Sequence, residues 1–219
     1  MERRRMLAML NPVLTAGGTS PGIYPLPKPK TSGNVSVEQA LHTRRSLRSY
    51  SRAALKLEES AQLLWAAQGT TSRSGYRTAP SAGALYPLET FLCTGRVDGL
   101  PAGVYRYRPE QHDLLLLAEG DRRAELAAAA LGQSWVRDAP VVIALAAVYR
   151  RVTGRYQQRG IRYAWVEAGH AAQNLLLQAV ALGLGGVPVG AFDDRAVARI
   201  LRMNSDEDPL YLIPVGRRN

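Results

Sequence analysis

Cysteine is almost missing from this sequence. Cys93 is the single one in 219 residues, which excludes an intrachain disulfide framework and a cysteine-rich zinc site. One thiol fits a reducing compartment, so a cytoplasmic location is expected. Cys93 sits in the apolar run FLC, read as a strand, and is expected in the core rather than as a nucleophile. Histidine is scarce too. His42, His112 and His170 lie far apart, without the short spacing that metal ligation uses, so no metal is expected. G-x-S-x-G and the P-loop lysine motif are both absent. No apolar run approaches the roughly 20 residues needed to span a bilayer, so no membrane partner is expected. The first residues, MERRRMLAMLNPVLTAGG, faintly resemble an export signal, but Asn11 and Pro12 interrupt the apolar part. Acidic residues are outnumbered, 18 against 28 basic, for a net charge of +10. All the basic residues except Lys28, Lys30 and Lys56 are arginine, which suits bidentate phosphate binding. No basic stripe with interleaved aromatics accompanies them, so no specific nucleic-acid partner is expected.

The length suits one sizeable core. Residues 1–35 are rich in Pro, Gly, Ser and Thr and read as an extended or disordered arm, one that wraps a partner subunit or stays loose. Residues 36–219 read as one domain. Ser36-Val37-Glu38-Gln39 is a capping box opening a short helix. LKLEESAQLLWAAQG is a second, amphipathic helix stopped by Gly69. ETFLCTG, GVYRY and DLLLLAE are strands separated by turns. DRRAELAAAALG is a helix capped by Asp121, and APVVIALAAV is a buried strand. FDDRAVARIL is a helix capped by Asp193 or Asp194, and LYLIPVG is a last strand. The order is α+β with an incomplete parallel element.

The longest feature is RYAWVEAGHAAQNLLLQAVALGLGGVPVGAF, from Arg162 to Phe192. Ala168, Ala171, Ala172, Leu175, Leu176, Ala179 and Val180 recur at helical spacing on one apolar face. Gly183, Gly185 and Gly186 end the helix, and VPVGAF is expected to be extended. His170, Gln173 and Asn174 form a polar stripe that calls for buried partners. Arg44-Arg45-Ser46-Leu47-Arg48 follows the first helix. It reads either as a solvated helix end or as an anion cradle of guanidinium forks and a hydroxyl. In PSAGALYPLE, prolines fix the backbone and small residues admit a ligand. Pro188-Val189-Gly190-Ala191 offers backbone N–H groups with little obstruction.

These four strings, RRSLR, PSAGALYP, EAGHAAQN and GLGGVPVGAF, occur in the order found in the nitroreductase superfamily of flavin enzymes. The H-x-x-Q-N spelling resembles the SagB-type branch, which includes oxidases of azoline-containing peptides. The resemblance spans about residues 36–218. It implies a nitroreductase-like fold: a central mixed, mostly antiparallel sheet flanked by helices, in a domain-entwined homodimer with FMN at the interface. It also implies roles. Arg44, Arg45, Ser46 and Arg48 would hold the phosphate and ribityl end, and Arg217 would complete the phosphate site. Pro80, Ser81 and Ala82 would reach the flavin from the second subunit. Gln173 would bond the ring or hold its helix, and Pro188, Val189, Gly190 and Ala191 would face the ring. Ala84 stands where the wider family often has Asn, and Gly190-Ala191 stands where Glu-Gly is usual. Azoline oxidases of the branch use a Lys-Tyr pair where this chain has Arg162-Tyr163. Tyr163 is the candidate proton donor or acceptor, whereas Arg162 has too high a pKa for a base. The pair's other reading is packing at the helix entrance. The implied substrate is a modified peptide or a small molecule. The competing activity is NAD(P)H-dependent reduction of quinones or nitroaromatics, and a third reading is a binding protein that keeps the fold without turnover.

Overall fold

The computed structural model describes residues 22–219; the export-signal reading falls on residues outside these. The heart of the molecule is β7 (Val141–Ala147). Side chains alternate across a strand. Val141, Ile143, Leu145 and Ala147 therefore join one apolar cluster, while Val142, Ala144 and Ala146 join another. Both faces are covered, which explains why this strand is an unbroken apolar run. Its neighbours are β3 (Leu88–Thr94) and β9 (Asp208–Arg217), both antiparallel to it.

Outward from β3 come β5 (Gly103–Arg108), β6 (Asp113–Glu119) and β1 (Ile23–Pro25). Outward from β9 comes β8 (Leu184–Gly186). The seven-stranded order is β1-β6-β5-β3-β7-β9-β8. Every pairing within it is antiparallel. The parallel part of the fold is a separate two-residue ribbon between β2 (Leu55–Lys56) and β4 (Val97–Asp98). The architecture is thus the α+β, mostly antiparallel one expected.

One face of the sheet is covered by α2 (Leu57–Gln68) and α6 (Arg159–Ala181). Ala164, Ala168, Ala171, Ala172 and Ala179 line the inner side of α6, with Leu175 and Leu176 as the bulkier contacts, and all are buried in the cluster that holds Leu63, Leu64 and Ile213. Small residues let the helix lie close to its neighbours. The other face is covered by α3 (Arg123–Ala129), α4 (Ser134–Asp138) and α7 (Asp194–Ile200), through Leu126, Val136, Val197 and Leu201. Two further helices are α1 (Val37–Thr43) and α5 (Arg150–Tyr156).

Local signals hold at most ends. Ser36 Oγ accepts from Gln39 N–H at 3.1 Å, and Asp193 Oδ1 accepts from Ala196 N–H at 2.8 Å. At α3 the signal is off by one: the N-cap position is Arg122, while Asp121 just before it accepts from Arg123 N–H through Oδ1 at 3.0 Å. The exit of α6 differs from expectation. Its glycine-rich stretch is itself the strand, β8, and VPVGAF carries only one isolated bridge, Val189 to Leu212. Residues 22–30 of the arm dock on their own chain rather than hanging free: β1 pairs with β6, Leu26 is buried and Leu26 N–H donates to His112 O at 3.2 Å. Gln62 then clasps both backbone groups of Lys30.

Candidate functional site

The candidate residues fall into two groups. The first hangs on β9. After α1 closes with Arg44 N–H on Ala40 O, the chain runs across the end of β8 and β9. Leu47 N–H donates to Gly186 O at 3.1 Å, and Ser51 N–H donates to Arg217 O at 3.0 Å. The Tyr50 hydroxyl lies 2.7 Å from Leu47 O and 3.1 Å from Pro214 O. Burial pushes that hydroxyl above the usual tyrosine range. Gly186 is required here, since a Cβ would sit 2.7 Å from Pro214 O. Arg45, Ser46 and Arg48 are exposed and Arg44 is half-buried. Arg45 Nη1 donates to the carbonyls of His42 and Arg44, and Arg48 lies over the Trp135 ring at 5.7 Å. Among the described residues, Arg44, Arg45 and Arg48 make no ion pair with a carboxylate.

Further down β9, Val189 N–H donates to Leu212 O at 2.8 Å and Leu212 N–H returns the bond at 3.0 Å. This fixes Pro188–Ala191. Gly190 and Ala191 are exposed, and a side chain at Gly190 would meet nothing nearer than 3.9 Å. The Ala191 carbonyl is occupied by Gln133 Nε2 at 3.0 Å. Guanidinium groups without carboxylate partners and a small, open backbone segment, both carried by chain that hydrogen-bonds to β9, fit a phosphate-bearing flat ligand. Arg217 fits less well, because its Nη2 is paired with Glu59 Oε1, while Glu59 Oε2 caps Lys56 N–H at 2.8 Å. A phosphate there would have to share Arg217 with a carboxylate.

The second group is built on α6. Pro80, Ser81, Ala82, Tyr163, Glu167 and His170 line a cavity of about 280 Å³. Asn174 Nδ2 holds the incoming loop through Thr78 O at 3.2 Å, and Ser81 Oγ accepts from Tyr86 N–H at 2.9 Å. Tyr163 stands edge-on to Tyr156, with centroids 5.1 Å apart. Arg162 and Gln173 are exposed. Of the polar stripe, Asn174 alone finds a protein partner in the hydrogen-bond network of the described residues. The face of α6 carrying Arg162, Trp165, Val166, Gly169, His170 and Gln173 is open, with Trp165 58% and Val166 50% exposed. Among the described residues, no hydrogen bond joins this group to the first.

The model of the nitroreductase family matches residues 41–217 of this sequence. The chain belongs to the nitroreductase family. Nitroreductase-family proteins are oxidoreductases, and several relatives are similar over most of the chain. A Methanocaldococcus jannaschii protein named for the nitroreductases is 45% identical over 184 residues, 84% of this chain and 92% of that protein. The microcin B17-processing protein McbC of Escherichia coli is 29% identical over 133 residues, 58% of this chain and 49% of McbC. The trifolitoxin operon protein TfxC of Rhizobium leguminosarum is 28% identical over 80% of this chain and 54% of its own length. The chain therefore spans about half the length of these two relatives. Among solved structures, a nitroreductase-family protein of Ralstonia eutropha superposes with a TM-score of 0.80 at 31% identity, covering 93% of each chain. A chain of the E. coli microcin synthetase McbBCD complex, with truncated pro-MccB17 bound, superposes with a TM-score of 0.70 at 25% identity, over 87% of this chain and 75% of that one.

One residue of this nitroreductase-family site was not singled out by sequence reasoning. Glu167 is only 2% exposed, and among the described residues neither carboxylate oxygen has a hydrogen-bond partner of good geometry. Burial pushes its pKa up to about 7, against the weaker opposing pull of Ser81, Arg77 and Gln68. The clues in the sequence were its place at the head of the string EAGHAAQN and on the alanine-lined side of α6, three residues after Ala164 and one before Ala168.

Proposed function

We propose that the chain is an FMN-dependent oxidoreductase of the SagB-type branch, working as a homodimer on azoline rings of a modified peptide or a related small molecule. The observation that carries the flavin assignment is the set of guanidinium groups without carboxylate partners, Arg44, Arg45 and Arg48, on a segment hydrogen-bonded to β8 and β9, together with Pro188–Ala191, which is hydrogen-bonded to β9 as well. Arg44, Arg45, Ser46 and Arg48 would grip the phosphate and ribityl end, with Arg217 contributing in competition with Glu59. Pro188, Val189, Gly190 and Ala191 would lie along the ring. Bound FMN would supply two-electron redox chemistry, which explains why no nucleophile–base pair is needed from the protein. Pro80, Ser81 and Ala82 line a different cavity from the arginines, so a second subunit is the natural way to bring the two groups to one ligand. The open face of α6, with exposed Trp165 and Val166 and with Gln173, is the surface we assign to that contact. Tyr163, in the cavity wall, is the candidate proton donor or acceptor. Arg162 beside it serves to orient substrate or to pack, because its pKa is too high for a base.

The likeness to McbC and to the microcin synthetase chain supports a peptide-derived substrate. A second reading, NAD(P)H-dependent reduction of quinones or nitroaromatics, is favoured by the 45% identical relative of similar length and by Arg162 in place of lysine.

The visible absorbance spectrum of the purified protein tests the class. A yellow protein releasing FMN supports the reading, and a protein that stays colourless after incubation with FMN removes it. Reduction of the flavin by NAD(P)H then favours the second activity. Arg44→Ala and Arg48→Ala are each expected to weaken FMN binding by about tenfold or more, the value of a charge-assisted hydrogen bond, as measured by fluorescence titration.

A further inference from the structure

Glu167 is buried in α6 at the back of the cavity that Pro80, Ser81, Tyr163 and His170 also line. A buried carboxyl group normally has an ion-pair partner or several hydrogen bonds. This one has neither. Arg77 is the cation facing it, but Arg77 is committed elsewhere: its Nη1 donates to Gln68 Oε1 at 2.9 Å and its guanidinium lies over the Tyr86 ring at 4.7 Å. Because Gln68 Oε1 accepts from Arg77, its Nε2 is turned away as a donor, and that nitrogen is also buried without a partner. Ser81 is constrained in the opposite sense. Its Oγ accepts from Tyr86 N–H at 2.9 Å, which leaves one hydroxyl proton to give. Two donors, the buried Gln68 Nε2 and the Ser81 hydroxyl at the cavity wall, thus face one acceptor group whose burial resists ionisation.

We propose that Glu167 is a positioning residue that sets the direction of the Ser81 hydroxyl, and through it the hydrogen bonds that the cavity offers its ligand. As a carboxylate, Glu167 draws the Ser81 O–H backward, and the cavity wall presents only the weak acceptor side of that oxygen. As a neutral acid, Glu167 donates its own proton to the free lone pair of Ser81 Oγ. The Ser81 O–H then turns into the cavity as a donor. A pKa near 7 places the change between these states in the physiological range. The remaining charged and titratable groups around the site come from several elements. Tyr163 and His170 share α6 and the cavity. Arg77 enters from the loop after α2, and Tyr86 lies beneath it. Glu89 of β3 is held by Arg106 and by Arg151 of α5, which limits its pull on Arg77. The functional consequence rests on the reading of this cavity as a place where the flavin or substrate lies.

The test uses the full chain with glutamate labelled at the side-chain carboxyl carbon, followed by NMR across pH. One carboxyl resonance is expected to titrate near neutrality and to be missing from Glu167→Gln. In Ser81→Ala the midpoint is expected to rise by about half to one pH unit, the effect of losing one hydrogen bond to the charged form. In flavin-loaded protein, the visible spectrum is expected to shift with the same midpoint, and both variants abolish the shift. A Glu167 resonance titrating in the ordinary carboxylate range, a midpoint unmoved in Ser81→Ala, or a spectral shift that persists in Glu167→Gln overturns the proposal. If Glu167→Gln fails to fold, shown by circular dichroism, Ser81→Ala decides the matter through its midpoint. If the protein takes up no FMN, the proposed function fails, while the NMR titration still tests the link between Glu167 and Ser81.

Discussion

Glu167 and Glu207 are both buried, and they respond to pH in opposite directions. Burial pushes Glu207 up, but the Arg106 fork, at 2.6 and 2.8 Å, and the Asn204 N–H outweigh it and hold the carboxyl below its usual range. Its stabilising contribution is present above the unfolded pKa and is lost as pH falls through the lower folded value. Glu167 is raised from 4.5 to about 7, so the folded state binds the extra proton between those values. Folding is then increasingly penalised as pH rises from the unfolded value through the folded one. Glu167→Gln, which is neutral throughout, should therefore be more stable than the parent at about pH 8, by up to about 3 kcal/mol. The gain should vanish near pH 4, as read by urea denaturation at both values. Arg106→Met leaves the buried Glu207 without its cation and Glu89 with Arg151 alone, and should cost about 3–5 kcal/mol in the same assay at neutral pH. None of this was visible in the letters. A buried Glu and an exposed Glu are spelled alike, and only the three-dimensional surroundings of Glu167 separate it from the surface carboxylates.

At the level of elements, what the sequence disclosed depended on how local the cause was. Ser36, Gly69 and Asp193 end their helices through groups a few residues away, so those boundaries could be read directly. β7 was legible because burial on both faces leaves an unbroken apolar run. β1 and the β2–β4 ribbon were not, because a strand of two or three residues is defined by its partner, and that partner lies far along the chain. The α6 exit was misplaced by a few residues. Gly185 and Gly186 looked like helix terminators, whereas their lack of side chains lets Gly185 pack against Leu47 and Gly186 against the Pro214 carbonyl of β9. Gly186→Ala puts a methyl group against the Pro214 carbonyl, so β8 must move off β9. The expected loss is about 1–3 kcal/mol. FMN retention should fall with it, because Gly186 O anchors Leu47 inside the arginine segment. Equilibrium denaturation and flavin release together check this.

The whole molecule presents its candidate residues in two places, and the order of four motifs along the chain was enough to assign the family without revealing that separation. The proposed docking of two copies through the open side of α6 would account for it. Trp165→Glu should then turn a dimer into a monomer that has lost flavin, as followed by size-exclusion chromatography with light scattering. An unchanged dimer would place the contact elsewhere. The first strand has a different kind of importance. β6 carries the run Leu114–Leu117, and without a neighbour its outer edge would offer a row of free amide and carbonyl groups to any passing chain. β1 covers that edge with three residues, and Pro25, Pro27 and Pro29, which lack an N–H, make the covering segment a poor template for a further strand. At the other side of the sheet, β8 is equally short and is overlaid by the segment around Leu47. The two ends of the sheet are thus closed by the protein's own chain, and the same contacts that assemble the fold protect it from growing, strand upon strand, into an aggregate.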